Sequence, residues 1–286
     1  MADLSAGVPC RFGRICPLAH DGVRTLTHPT VDFETKCWEK DWRLIADPSY
    51  ISRMISRCNF PFHKRRVIVN NVEDIRLVAQ ALDKLVGLNI IDEFVVADER
   101  AAGTLAKYEI DPASFAGGYY YSIAELVGIN VSSADYVLHF ASDAIMEGRI
   151  RPARWIAQAV EVMGEREDVV VANPAWNWRF RKAAAASQEE LANFHVSCGF
   201  SDQCYLIKRS VFDAPVYNYD HEDGNIYPTY GGNLFERRAF CFMRACDKKR
   251  ITHKSESYWH RNISRMPTPR LRVMASISEL RWLRSL

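Results

Sequence analysis

Several features that would classify the chain at once are missing. Its eight cysteines, at 10, 16, 37, 58, 198, 204, 241 and 246, never stand as CxxC. That scatter fits reduced thiols better than a disulfide framework or a zinc site, and only Cys10 and Cys16 lie close enough in a Pro- and Gly-containing segment to pair or share a metal. No apolar run reaches about 18 residues, so no segment reads as a bilayer-spanning helix. Net charge is also scarce: 37 Lys and Arg against 35 Asp and Glu give +2, which supplies no argument for nucleic acid as a partner. The opening MADLSAGVPCRFGRICPLAHDG has no apolar stretch of secretory-signal length, and a cytoplasmic location is the expectation.

What is present is 286 residues at 48% hydrophobic, enough for one large core or a core with appendages. Residues 1–40 lack sustained periodicity and read as an irregular extension. Residues 41–58 read as helix divided at Pro48, and Val67, Ile68 and Val69 form a continuous apolar run typical of a strand covered on both faces. A helix over 72–86, a strand over 91–99, helices over 101–108 and 122–131 and a strand over 136–140 follow. Beyond them come a helix at 154–163, a strand at 168–172 ended by Asn173-Pro174, and a mobile or helical insertion at 176–187. A strand at 203–207 and a helix opening near Gly231 and Gly232 complete the series. Alternation of this kind implies an α/β fold with a mostly parallel sheet and right-handed crossovers. Such sheets bind ligands beyond the carboxyl ends of their strands. Three ends then share one rim: Asn70-Asn71, Asp98-Glu99 and Ser142-Asp143.

The segments RRVIVNN, DEFVVADE, ADYVLHFASDAIM, EDVVVANPAWN, GFSDQCYLIKR and GGNLFERR, taken in order, resemble the GT-A-fold glycosyltransferases, nearest to family 2. The resemblance spans about residues 65–260. It implies a GT-A-like (Rossmann-like) catalytic domain over 41–260, which transfers a sugar from a nucleotide-diphosphate sugar to a hydroxyl of a glycan or lipid-linked saccharide. In that family an Asp-X-Asp motif holds a divalent ion on the donor diphosphate. Here its positions are Ala141, Ser142 and Asp143, so the first carboxylate is absent. One carboxylate with waters and phosphate oxygens still suits Mn2+ or Mg2+; a metal-independent site with Arg or Lys against the diphosphate is the other possibility.

The same resemblance implies donor contacts from Asn70, Asn71, Asp98, Ser122, Ser142 and Asp143, and a late histidine at the metal or diphosphate, His260 or His253. His139, on a buried strand, reads as a core histidine, and Tyr119, Tyr120 and Tyr121 as packing. Inverting transfer needs a general base for the acceptor hydroxyl; the resemblance points to Glu236, at the start of a helix behind Gly231 and Gly232, with Asp202 of GFSDQCYL as the rival. The tail over 261–286 carries six arginines and one acid; as a basic amphipathic helix it offers peripheral contact with an anionic inner-membrane face, or packing on the domain. Bacterial polysaccharide or glycoconjugate synthesis is the expected setting. A nucleotide- or glycan-binding protein that kept the fold without catalysis is the alternative.

Overall fold

The computed structural model describes residues 29–147, 153–227 and 232–260. Its centre is a 10-stranded sheet in the order β3-β2-β1-β4-β9-β6-β10-β8-β7, with β5 paired to β10. The strands are β1 (Val31–Cys37), β2 (Lys64–Val69), β3 (Glu93–Val96), β4 (Tyr136–Phe140), β5 (Ala144–Met146), β6 (Val169–Trp176), β7 (Glu189–Glu190), β8 (Phe194–Ser197), β9 (Cys204–Lys208) and β10 (Lys249–His260). Pairing is parallel from β3 through β2 and β1 to β4, and again between β6 and β10. β9 runs antiparallel to both its neighbours. β5 and β8 also run antiparallel to β10, and β7 antiparallel to β8. Seven of the ten strands nonetheless share one direction, so the sheet is mostly parallel in strand direction, as the alternation of elements predicts.

Helices cover both faces. On one lie α1 (Trp42–Ile45), α2 (Pro48–Ser56), α3 (Ile75–Gly87) and α6 (Trp155–Glu165), packing Trp42, Met54, Leu82 and Trp155 onto the sheet. On the other lie α4 (Ala97–Lys107), α5 (Tyr119–Val131), α8 (Arg209–Phe212) and α9 (Phe235–Ala245), with Leu105, Leu126, Phe212 and Phe235. The short α7 (Phe180–Ala185) buries no residue. Local chemistry explains where the helices start. Asp47 accepts from the backbone N–H of Ser49 and Tyr50, with Pro48 at the first helical position of α2, and Asp74 does the same for Arg76 and Leu77 in α3. Each side chain satisfies donors that the helix leaves open. Among the described residues, no helix is long and apolar enough to cross a membrane.

The structure adds β5, β7, β8 and the long β10, which the sequence reading leaves out, and departs from that reading in three further places. β1 falls inside the stretch read as an irregular extension, and it is a central strand. Its charged residues Asp32, Glu34 and Lys36 alternate with Val31, Phe33 and Cys37, a pattern that mimics a solvated strand. Both faces are nonetheless covered, and Asp32 and Glu34 are fully buried. β3 stops at Val96 and α4 begins at once, so Asp98 and Glu99 lie in a first helical turn, where acids favour the dipole. β6 continues through Asn173-Pro174 to Trp176, because β10 shifts register between Thr252 and Ser257 and leaves no regular ladder opposite Pro174. The segments at 1–28 and 261–286, including Cys10, Cys16 and the basic tail, lie outside the described residues.

Candidate active site at the strand rim

Parallel pairing of β3, β2, β1 and β4 brings their carboxyl ends to one rim. Reversal of β9 adds its amino end, since Cys204 pairs with Phe140, so Asp202 and Gln203 arrive at the same edge. β6 and β10 finish there as well, bringing Trp176 and His260. One edge of the sheet thus gathers side chains from widely separated parts of the chain.

The best-defined contact joins His260 Nε2 to Asp143 Oδ1 at 3.2 Å. Asn177 fixes the backbone of His260 on both sides: its Nδ2 donates to the His260 carbonyl at 3.3 Å, and its Oδ1 accepts from the His260 N–H at 3.0 Å. Beside this pair, Ser142 donates through Oγ to the buried Asp41 carboxylate, and Tyr50 donates through its hydroxyl to the Ser142 carbonyl at 2.8 Å. Burial pushes the Asp41 carboxyl up to about 6, against the hydrogen bonds from Ser142 and Trp38, with the charge of Asp143 adding to the rise. Asp41, overlooked in the sequence, brings a second carboxylate to the Ser142-Asp143 turn where position 141 supplies none.

Asp143 and His260 together offer an oxygen and a nitrogen to a divalent ion. Among the described residues no three His, Cys, Asp or Glu side chains converge as a metal site. This donor set fits Mg2+ or Mn2+ in a mode that keeps waters and takes further oxygens from a bound phosphate, rather than a closed all-protein cage.

The two rival carboxylates are neighbours. The Asp202 backbone N–H hydrogen-bonds the Glu236 carboxylate, and burial, reinforced by the charge of Asp202, pushes the Glu236 carboxyl up to about 9. Glu236 opens α9, whose first N–H, from Phe235, donates to Ser122 Oγ at 2.9 Å. Lys36, at the end of β1, pairs with the fully buried Glu125 of α5. Burial disfavours its charge, but Glu125, Asp202 and Asp41 outweigh that and raise its pKa. Lys36 therefore supplies positive charge that acts on both Asp41 and Glu236, a role not visible where the sequence reads as irregular chain.

Other expected residues are dispersed. Asn70 is buried, donates to the Tyr120 carbonyl at 2.6 Å, and leaves its Oδ1 without a hydrogen-bond partner. Asn71, in a left-handed conformation, and Asp98 are exposed at that end of the rim, and Tyr120 and Tyr121 expose more than half their surface beside them. The tyrosines are thus only partly packing groups. Ser122 does not reach the cleft: it is fully buried, donating to the Gly118 carbonyl and accepting from Phe235 N–H, so it joins α5 to α9. His253 is likewise structural, with Nε2 3.1 Å from Gln158 Oε1 and Nδ1 accepting from Ser255 and Glu256 N–H. His139 is a core histidine, stacked on Tyr205 at 4.8 Å, and burial pulls it down to about 4.

No family model and no curated protein sequence matches the chain. Among solved structures, it is similar to GalNAc-T7 crystallised with UDP, GalNAc and Mn2+, at 9% identity and a TM-score of 0.51 over 81% of this chain and 44% of that one. The chain thus spans under half the length of that protein. Mycobacterium tuberculosis glucosyl-3-phosphoglycerate synthase, crystallised with Mn2+, UDP-Glc and phosphoglyceric acid, is similar at 15% identity and a TM-score of 0.43, over 87% of this chain and 76% of that one. The first of these overlaps bears on the fold, which is GT-A-like.

Proposed function

We propose that the chain is a glycosyltransferase, moving a sugar from a nucleotide-diphosphate sugar to a hydroxyl of a saccharide acceptor. The observation that carries this reading is the meeting of the Asp143–His260 pair with the Asp202–Glu236 pair at one rim of a GT-A-like sheet. UDP and Mn2+ in the GalNAc-T7 structure support a uridine diphosphate donor and a divalent ion. Asn70, Asp98 and the exposed tyrosines are suited to the nucleoside end, Asp143 and His260 to the diphosphate. When bound there, Mn2+ or Mg2+ supplies positive charge that stabilises the departing diphosphate.

Glu236 retains its proton near neutral pH and so donates a hydrogen bond, while Asp202 is the member that takes the proton of the acceptor hydroxyl. Attack on the face opposite the diphosphate inverts the anomeric centre. A lipid-linked acceptor, a cytoplasmic site at the inner membrane face and a place in bacterial polysaccharide synthesis extend this reading through the arginine-rich 261–286 segment. The proposed division is an N-terminal extension, a catalytic domain that includes β1 and so starts no later than Val31 rather than at residue 41, running to His260, and the 261–286 tail.

Release of UDP from a panel of UDP-sugars, with Mn2+ and oligosaccharide acceptors, tests the proposal. Asp143→Ala is expected to slow release by at least about 100-fold, the upper end of the range for losing a group that only supports a metal ligand. Unchanged turnover in that variant sinks the site. Ala141, where the family carries a carboxylate, favours a binding protein as the second reading; UDP binding without release from any donor selects it.

A further inference from the structure

The turn after β6 holds the bulky Trp178 51% exposed and in a left-handed conformation, φ +63°, directly after Asn177 at +44°. A bulky side chain is strained there, and such backbone persists where its surroundings fix it. Here they do. Asn177 N–H donates to the Tyr258 carbonyl at 2.9 Å, Trp178 N–H to Ser257 Oγ at 2.9 Å and Arg179 N–H to the Trp176 carbonyl at 2.9 Å. Asn177 and His260 exchange the two further bonds described above.

The clamp presents an aromatic corner. The ring centroids of Trp178 and Trp259 are 6.0 Å apart at 59°, and the Arg179 guanidinium lies 4.2 Å from the centre of the Trp176 ring. Trp259 and His260 are consecutive in β10, so their side chains leave opposite faces of the strand. The corner is tied to the strand end that carries the Asp143–His260 pair through the two bonds between Asn177 and the His260 backbone. Among the described residues Trp178 is the only exposed large hydrophobic between Tyr121 and Tyr219, and exposed Arg179, Arg181 and Lys182 follow it in sequence, so the apolar surface is small rather than the extended patch a protein interface requires. A pyranose matches it: its C–H face lies flat on an indole, and its rim of hydroxyls needs polar donors and acceptors at the edge.

We infer that Trp178 and Trp259 form a stacking platform for one pyranose ring of a saccharide, beside the diphosphate end of the rim. The inference rests on the proposed glycosyltransferase reading only in making that saccharide the acceptor.

Titration of the full chain with cellohexaose, maltohexaose and chitohexaose, followed by tryptophan fluorescence without nucleotide, tests it. Trp178→Gly removes the ring and suits the left-handed backbone, so its unfolding midpoint is expected to equal or exceed that of wild type. Trp178→Asn is a second ringless variant tolerant of that conformation, and Trp178→Tyr keeps a ring. At least one hexasaccharide should quench wild-type emission, with affinity reduced by about tenfold in the ringless variants, as for loss of one stacked ring, and by less in Trp178→Tyr. Equal affinity in a folded ringless variant overturns the platform, as does no quenching of wild type by any of the three, the result if residues 261–286 cover the ring. Calorimetry with UDP and Mn2+ tests the donor site separately. Saccharide quenching that depends on Trp178, with no UDP binding, supports the platform and removes the donor reading; UDP binding with no Trp178-dependent quenching removes the platform alone.

Discussion

Glu34 lies fully buried on the α5 side of β1, with Oε1 3.3 Å from His139 Nδ1 and Oε2 lacking a hydrogen-bond partner. Burial pushes its carboxyl from 4.5 up to about 8, although Arg66 pulls the other way. A carboxyl whose folded pKa exceeds its unfolded value binds more protons in the folded state. Its contribution to stability is complete below the unfolded value and is lost as pH rises through the folded one. Between those limits this group alone steepens the fall in stability by up to about 1.4 kcal/mol per pH unit. Glu34→Gln keeps the shape and removes the titration. Chemical denaturation between about pH 6 and pH 8 should therefore show a shallower loss of stability in the variant than in wild type; equal slopes refute this account of Glu34.

The contact between β1 and α5 shows what one sequence can and cannot disclose about an element. α3 is legible because Asp74 caps it and Val78, Leu82 and Leu85 recur at helical spacing. β2 and β4 are legible as continuous apolar runs. β1 is not, because its polar face is matched by partners distant in sequence: Arg66 and His63 at Asp32, His139 at Glu34 and Glu125 at Lys36. Gly128 of α5 completes that match, since a Cβ there would stand 2.3 Å from Glu34 Oε2. Alanine raises helix propensity by about 1 kcal/mol, but forcing a methyl into an unyielding buried contact costs about 1–3 kcal/mol. The collision wins because Glu34 is fully buried beneath the helix. Gly128→Ala is expected to lower unfolding free energy by up to about 2 kcal/mol, and in a Glu34→Ala background the same change should be neutral or stabilising. A loss of equal size in both backgrounds would place the cost elsewhere.

Across the whole molecule the rim was half legible. Asn70, Asp98 and Asp143 follow apolar strands, and strand–helix alternation alone sends those strands in one direction. No local pattern in GFSDQCYLIKR reveals that β9 reverses, yet that reversal is what sets Asp202 against Glu236. The pairing changes the assignment of the base: a carboxyl that keeps its proton to about 9 makes a poor acceptor at neutral pH. Under the proposed reaction, Asp202→Asn should reduce kcat by about 10²–10⁴-fold, the usual range for losing a general base. Glu236→Gln retains a hydrogen-bond donor and should reduce it far less. Nuclear magnetic resonance of the first-formed product fixes the anomeric configuration independently of either variant. Inversion together with the larger effect at Asp202 is the expected result. Retention of configuration would exclude the single displacement and with it Asp202 as the base of an inverting attack, and a wild-type rate in Asp202→Asn would exclude Asp202 from proton transfer.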